Sequence, residues 1–267
     1  MTDVSFKAFS QIFHFIKHYL AAGNEHRAHS PFVFRLLTEA VYIKNPDPVF
    51  QKIEIIRNKL LKDSHMLEVT DLGAGSSFDG KLTKRTVSDI ARKFAKSPRH
   101  CEFLFRITRH LQPTVMIELG TSLGISAMYQ ASGNANGKVY TLEGCQQTAE
   151  VARENFRMHE FKNVECITGN FNDTLPLLLE KIKSFDYAYI DGNHTLDATL
   201  RYYNLLKKHK LKNSLIIFDD IYWSSEMEQA WNRIKSDPEV TISLDFFQFG
   251  MVWFNKDFTK QDFLLKL

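Results

Sequence analysis

Three aspartates and one histidine carry the strongest chemical signal in this chain. Tyr189-Ile-Asp191-Gly-Asn-His194 and Phe218-Asp219-Asp220-Ile-Tyr-Trp223 each place acids directly after an apolar run. Carboxylates brought to adjacent strand ends repel one another, and without a cation at least one should take up a proton. A divalent ion with oxygen ligands resolves the conflict, and Mg2+ commonly needs only a few carboxylates plus water and substrate oxygens. The spacing therefore predicts Asp191, Asp219 and Asp220 as ligands of Mg2+ or another divalent cation. Helix capping without metal is the competing reading of the same acids.

A second constellation lies upstream. In residues 115–124, Val-Met-Ile-Glu-Leu-Gly-Thr-Ser-Leu-Gly, an apolar run turns through two glycines into a helical pattern. A strand, a tight turn and a helix N-terminus present backbone N–H groups to a nucleotide-like ligand. Glu143 follows Gly120 by 23 residues, where an acid commonly holds a ribose. The loop is Gly120-x-x-x-Gly124 and lacks the third glycine of a dinucleotide site, which disfavours a nicotinamide-dependent reductase. Asp71-Leu-Gly-Ala-Gly-Ser76 has similar glycines, but no second strand ending in an acid follows it. It reads as a structural turn or as a lid over a ligand.

These residues need a scaffold, and the pattern supplies one. Strands are predicted at 114–119, 138–142, 163–168, 185–190 and 214–218, with helices near 123–132, 146–160, 173–183 and 195–210 between them. Such alternation predicts an α/β, doubly wound parallel sheet. A helix at 225–236 and a hairpin from Val240–Phe247 and Met251–Phe254 add an antiparallel element. Ligands of such sheets sit beyond the carboxyl ends of the strands. Glu118, Gly120, Glu143, Asn170, Asp191 and Asp219-Asp220 should therefore converge there. Residues 1–112 do not alternate; helices are predicted near 5–21, 31–43, 48–62 and 98–111, with an irregular stretch at 72–88. Residues 1–97 are read as a helical cap forming the substrate region, and 98–267 as the catalytic domain.

Over roughly residues 98–255 the ordered set resembles the class I S-adenosylmethionine (SAM) methyltransferases. That resemblance implies a Rossmann-like sheet of seven strands, mostly parallel with one antiparallel strand near its C-terminal end. It implies SAM bound by Glu118, Gly120, Thr121, Ser122, Gly124, Glu143, Gly144, Asn170, Phe171 and Asp191. The acids after the fourth and fifth strands are similar to those of the metal-dependent small-molecule O-methyltransferases of the catechol and caffeoyl-CoA type. The Asp-Gly-x-His form is closer to the branch that methylates sugar hydroxyls. There His194 would be the general base beside Asp191, where catechol-type enzymes carry a lysine. The expected reaction is metal-assisted O-methylation of a small-molecule or sugar hydroxyl. Two alternatives are a metal-independent nucleic-acid or protein methyltransferase and a catalytically silent scaffold of the same fold.

Composition narrows the field. A net charge of +3 across 267 residues argues against nucleic acid, which calls for a concentrated basic stripe. Three cysteines without a C-x-x-C pairing suit a reducing cytoplasm. No stretch is long and apolar enough to span a bilayer, and no signal peptide is evident. A homodimer is left open. His14 and His18, four apart with His26 and His29 nearby, lack the partners for zinc and read as a solvated helix face.

Overall fold

The computed structural model describes residues 14–70 and 82–267. The Gly73–Gly75 loop and the first part of the helix expected at 5–21 lie outside the described residues. Helix α1 (14–21) leads to α2 (Pro31–Leu36), which continues through a π turn to Val41, and then to α3 (Pro48–Leu60). Asp47 caps α3 by accepting from Val49 N at 2.9 Å. Strand β1 (Met66–Thr70) pairs antiparallel with β2 (Leu82–Thr86), which falls within the stretch expected to be irregular, and the short α4 (Val87–Lys93) follows. Helix α5 (Pro98–Leu111) follows; Ser97 accepts from His100 N and Pro98 opens the first turn.

From there the predicted alternation holds. In order come β3 (Val115–Leu119), α6 (Ile125–Gly133), β4 (Lys138–Glu143), α7 (Gln146–Met158), β5 (Val164–Thr168) and α8 (Phe171–Ile182). They are followed by β6 (Phe185–Ile190), α9 (Leu196–His209), β7 (Lys210–Asp219) and α10 (Ser225–Ser236). The chain then runs through β8 (Ile242–Asp245), β9 (Phe249–Trp253) and β10 (Gln261–Leu264).

The main sheet has eight strands in the order β10-β8-β9-β7-β6-β3-β4-β5. Only β9 is reversed, pairing antiparallel with β7 and β8. Seven strands match the expected mixed sheet; β10 is an eighth, parallel to β8 at the edge. Residues of β3 such as Met116, Ile117 and Leu119 are fully buried because helices cover both faces of the parallel strands. The strand order reverses between β3 and β6, and the crevice of an open α/β sheet forms at that switch point. The N-terminal helices share their core with the sheet: Val33, Phe50 and Ile53 belong to the same apolar cluster as Phe105, Tyr129 and Trp253.

One surface expectation is overturned. His18 is buried rather than solvated, because its Nε2 lies 3.0 Å from Asp245 Oδ1 at the end of β8. Among the described residues, no helix is long and apolar enough to cross a membrane.

Candidate active site

Gly120 and Asp191 join the two constellations. Gly120 has φ +104°, and a Cβ there would lie 2.1 Å from the Asp191 carbonyl oxygen. Only glycine lets the β3 loop approach the end of β6 so closely. Gly124, φ +87°, precedes α6, where a Cβ would meet the Phe156 ring at 2.6 Å. Between them Ser122 donates its backbone N–H to Glu143 Oε2 at 2.8 Å, and Cys145 N donates to Oε1 at 3.0 Å. Glu143 thus stands at the end of β4, tied to the loop it was expected to assist. Ser122 Oγ is buried with no hydrogen-bond partner among the described residues, which leaves it available to a polar group in the crevice. Ala95, Lys96, Gly120, Ser122, Ser126 and Asp191 line the narrow crevice here. A larger groove of about 670 Å³ lies between α3, β1 and α7, away from the strand ends.

The other expected cofactor residues divide. Gly144 follows Glu143 in the turn before α7. Asn170 caps α8, accepting from Asn172 N at 2.9 Å, and the Phe171 ring packs against Tyr202. Thr121 is buried beneath the loop, its Oγ1 2.6 Å from Thr141 Oγ1. Glu118 is fully buried. Its carboxylate accepts from Gln130 Nε2 at 2.6 Å and Thr141 Oγ1 at 2.5 Å, and burial pushes its carboxyl up to about 7. It supports the loop from below.

At the ends of β6 and β7 the structure brings Asp191, His194, Asp219 and Asp220 together. His194 Nε2 lies 3.5 Å from Asp191 Oδ1 and 3.8 Å from Asp220 Oδ2. Asp219 is almost entirely buried; its Oδ1 accepts from Asp220 N at 3.0 Å and its Oδ2 from Tyr189 Oη at 2.7 Å. His100 Nε2 lies 3.2 Å from the same tyrosine oxygen.

The sequence reading missed the residue at the centre. Lys96 Nζ lies 2.5 Å from Asp219 Oδ2, 2.9 Å from Asp191 Oδ1 and 3.5 Å from Asp220 Oδ2. Its placement follows from topology. Helix α5 joins β3 through a three-residue turn and returns along it, so its N-terminal end reaches the carboxyl edge of the sheet. Ser97-Pro98, a visible helix start, was the available signal, because it puts Lys96 just ahead of that end.

The charges answer one another. Burial would weaken the Lys96 ammonium, but Asp191, then Asp219 and Asp220, hold its pKa well above the ordinary value. Burial would raise Asp191, yet Lys96 and then His194 hold it below the usual carboxylate range. Asp220 is raised by burial and by Asp219 beside it. Burial alone would lower His194, but Asp191 and then Asp220 lift it above the ordinary imidazole value.

The expected metal set meets a resident positive charge. The ammonium contacts all three carboxylates assigned to a divalent ion. Asp191, His194 and Asp220 offer ligand atoms within 4.8 Å of one another, but the Asp191 and Asp220 oxygens nearest His194 are those that face Lys96. An ion drawing on them would meet a fixed positive charge a few ångströms away. As folded here, these residues do not fit a divalent metal.

The comparisons with known proteins agree with the fold. A family described as a methyltransferase domain matches residues 117–221. The O-methyltransferase imqG of Aspergillus flavus is 29% identical over 130 residues, covering 46% of this chain and 51% of that protein. The chain thus spans about half the length of that relative. A catechol O-methyltransferase of Mycobacterium tuberculosis is 28% identical over 157 residues, covering 58% of this chain and 69% of that protein. Among solved structures, an O-methyltransferase from Bacillus cereus in complex with SAH superposes with a TM-score of 0.55 at 17% identity, covering 81% of this chain and 95% of that one. Residues 117–221 therefore resemble a methyltransferase domain, and the chain has the Rossmann-like fold seen in those O-methyltransferase structures.

Proposed function

We propose that this protein transfers a methyl group from SAM to a hydroxyl oxygen of a small molecule. The observation that carries the reading is Asp191, whose backbone packs on Gly120 while its carboxylate faces His194. A single residue, Asp191, thereby touches both the glycine loop and the base. SAM supplies an electrophilic methyl; Gly120, Ser122 and Glu143 are the groups suited to its polar parts, with Asn170 and Phe171, at the start of α8, as further candidates. The relatives' names support oxygen as the methyl acceptor.

In this reading the chain's own work is positioning and proton removal. Neutral His194 takes the proton of the acceptor hydroxyl as the oxygen attacks, and Asp191 and Asp220 stabilise the imidazolium that forms. The segment preceding α5 shapes the acceptor side, since Phe94, Ala95 and Lys96 border the crevice.

Incubation with SAM and a panel of alcohols, phenols, sugars and amines, followed by quantitation of S-adenosylhomocysteine (SAH), tests the proposal. Turnover on hydroxyl acceptors is expected, rising with pH through a pKa above about 6.5 as His194 loses its proton. His194→Ala should lose about 10²–10⁴-fold in kcat while keeping SAH affinity. Methylation confined to amines, or undiminished turnover in His194→Ala, would refute it.

A further inference from the structure

Three carboxylates at the edge of one sheet need a positive charge, and this chain carries its own. We propose that Lys96 is the resident cation of the Asp191–Asp219–Asp220 site, standing where a divalent ion would otherwise bind, so that methyl transfer here proceeds without a metal. The argument is geometric. The Nζ lies 2.5–3.5 Å from one oxygen of each aspartate and touches both the β6 end and the β7 end. An ammonium has three protons, and three carboxylates surround this one. Asp219 takes a further bond from Tyr189, whose hydroxyl also meets His100, so the carboxylate nearest the lysine is fixed from behind.

The substitution changes what the site offers. A bound metal keeps coordination positions for substrate oxygens, whereas this ammonium is spent on the aspartates. Its effect is to neutralise them and to hold the Asp191 carboxylate against His194. The acceptor oxygen is then activated by His194 alone, with no chelation by the cation. The lysine also comes from outside the 117–221 methyltransferase match, so the site is completed by the helical region that precedes it.

The inference rests on the O-methyl-transfer reading only for activity, so its main test needs no acceptor. Mn2+ is titrated into the full chain with SAH present, free ion being read by its electron paramagnetic resonance signal. The wild-type chain should show no stoichiometric site at micromolar Mn2+. Lys96→Gln should bind one Mn2+ at least tenfold more tightly, with a rise in its melting temperature on addition of the ion. Lys96→Arg, which keeps the charge, should remain blind to Mn2+ and serves as the control should Lys96→Gln fold poorly. Stoichiometric binding by the wild-type chain that is lost in Asp219→Asn would overturn the proposal. So would a folded Lys96→Gln chain that binds no ion. Wherever an acceptor is found, turnover should withstand a chelator and Lys96→Gln should lose it; failure of every acceptor counts against O-methylation and leaves the Mn2+ result standing.

Discussion

At the end of β8, Asp245 is as buried as Asp219 at the end of β7, but its company is different. Asp245 Oδ2 accepts from Tyr222 Oη and Trp231 Nε1, each at 2.8 Å, and Oδ1 accepts from Phe247 N at 3.1 Å and faces His18 Nε2 at 3.0 Å. Burial would raise its pKa, yet His18 and then Trp231 lower it. Those donors come from α1, α10 and the turns on either side, so Asp245 fastens elements together. The second cluster faces a crevice and is answered by one ammonium and one imidazole. A carboxylate saturated by side chains of several elements is a fastening. Carboxylates sharing one ammonium and one imidazole beside an opening can do chemistry.

The largest expected effect comes from breaking the fastening. Asp245→Ala leaves the Tyr222, Trp231 and His18 donors without their acceptor and should cost about 3–5 kcal/mol of stability. Urea denaturation reads that loss, while turnover per folded molecule should be nearly unchanged. A stable variant with impaired turnover would erase the contrast between the two clusters.

Glu118 sharpens the comparison, because the side chains that donate to it, Gln130 and Thr141, are neutral. Its folded pKa of about 7 lies above the ordinary 4.5, so its contribution to stability is full below 4.5 and is lost as pH rises through 7. Relative to the wild type, Glu118→Gln should gain about 1–3 kcal/mol between pH 5 and pH 8 in paired urea titrations. An unchanged difference between the two pH values would mean that Glu118 is charged in the fold. Tyr189→Phe is the smallest perturbation. Losing the bond to Asp219 should lower stability by about 1 kcal/mol and leave SAH affinity intact. A large loss of SAH affinity would show that the tyrosine does more than fix the aspartate.

Much of the catalytic half was legible because its signals are local. Apolar runs ending in Glu143, Asp191 and Asp219 mark strand ends, and the order of alternating elements forces those ends to one edge. The β8–β9 hairpin was legible for the same reason, from two β-rich stretches around Gly250. The β1–β2 pair was not. Its second strand, Leu-Thr-Lys-Arg-Thr, has almost no apolar periodicity to reveal it. Strand β10 is a short edge strand whose pairing with β8 depends on packing. Lys96 illustrates the harder limit. A lysine in a loop carries no pattern, and the carboxylates that fix it are 95–124 residues distant. The His18–Asp245 contact escaped notice likewise, since four-residue spacing of histidines reads as an exposed face until a remote acid is placed beside it.

The bond between His18 and Asp245 spans 227 positions of sequence. A parallel bridge from Gly23 to Leu265 and a hydrogen bond from Tyr42 Oη to the Lys266 carbonyl close the same loop. At about 5–20 residues per second, a ribosome takes roughly 10–45 s to make the chain between those two side chains. Throughout that interval His18 has no Asp245 to dock on, and Phe15, Ile16 and Leu20, already exposed in the finished fold, add to apolar surface still awaiting burial. The order of synthesis thus leaves the seating of α1 among the last events of folding, after the sheet that receives it has formed.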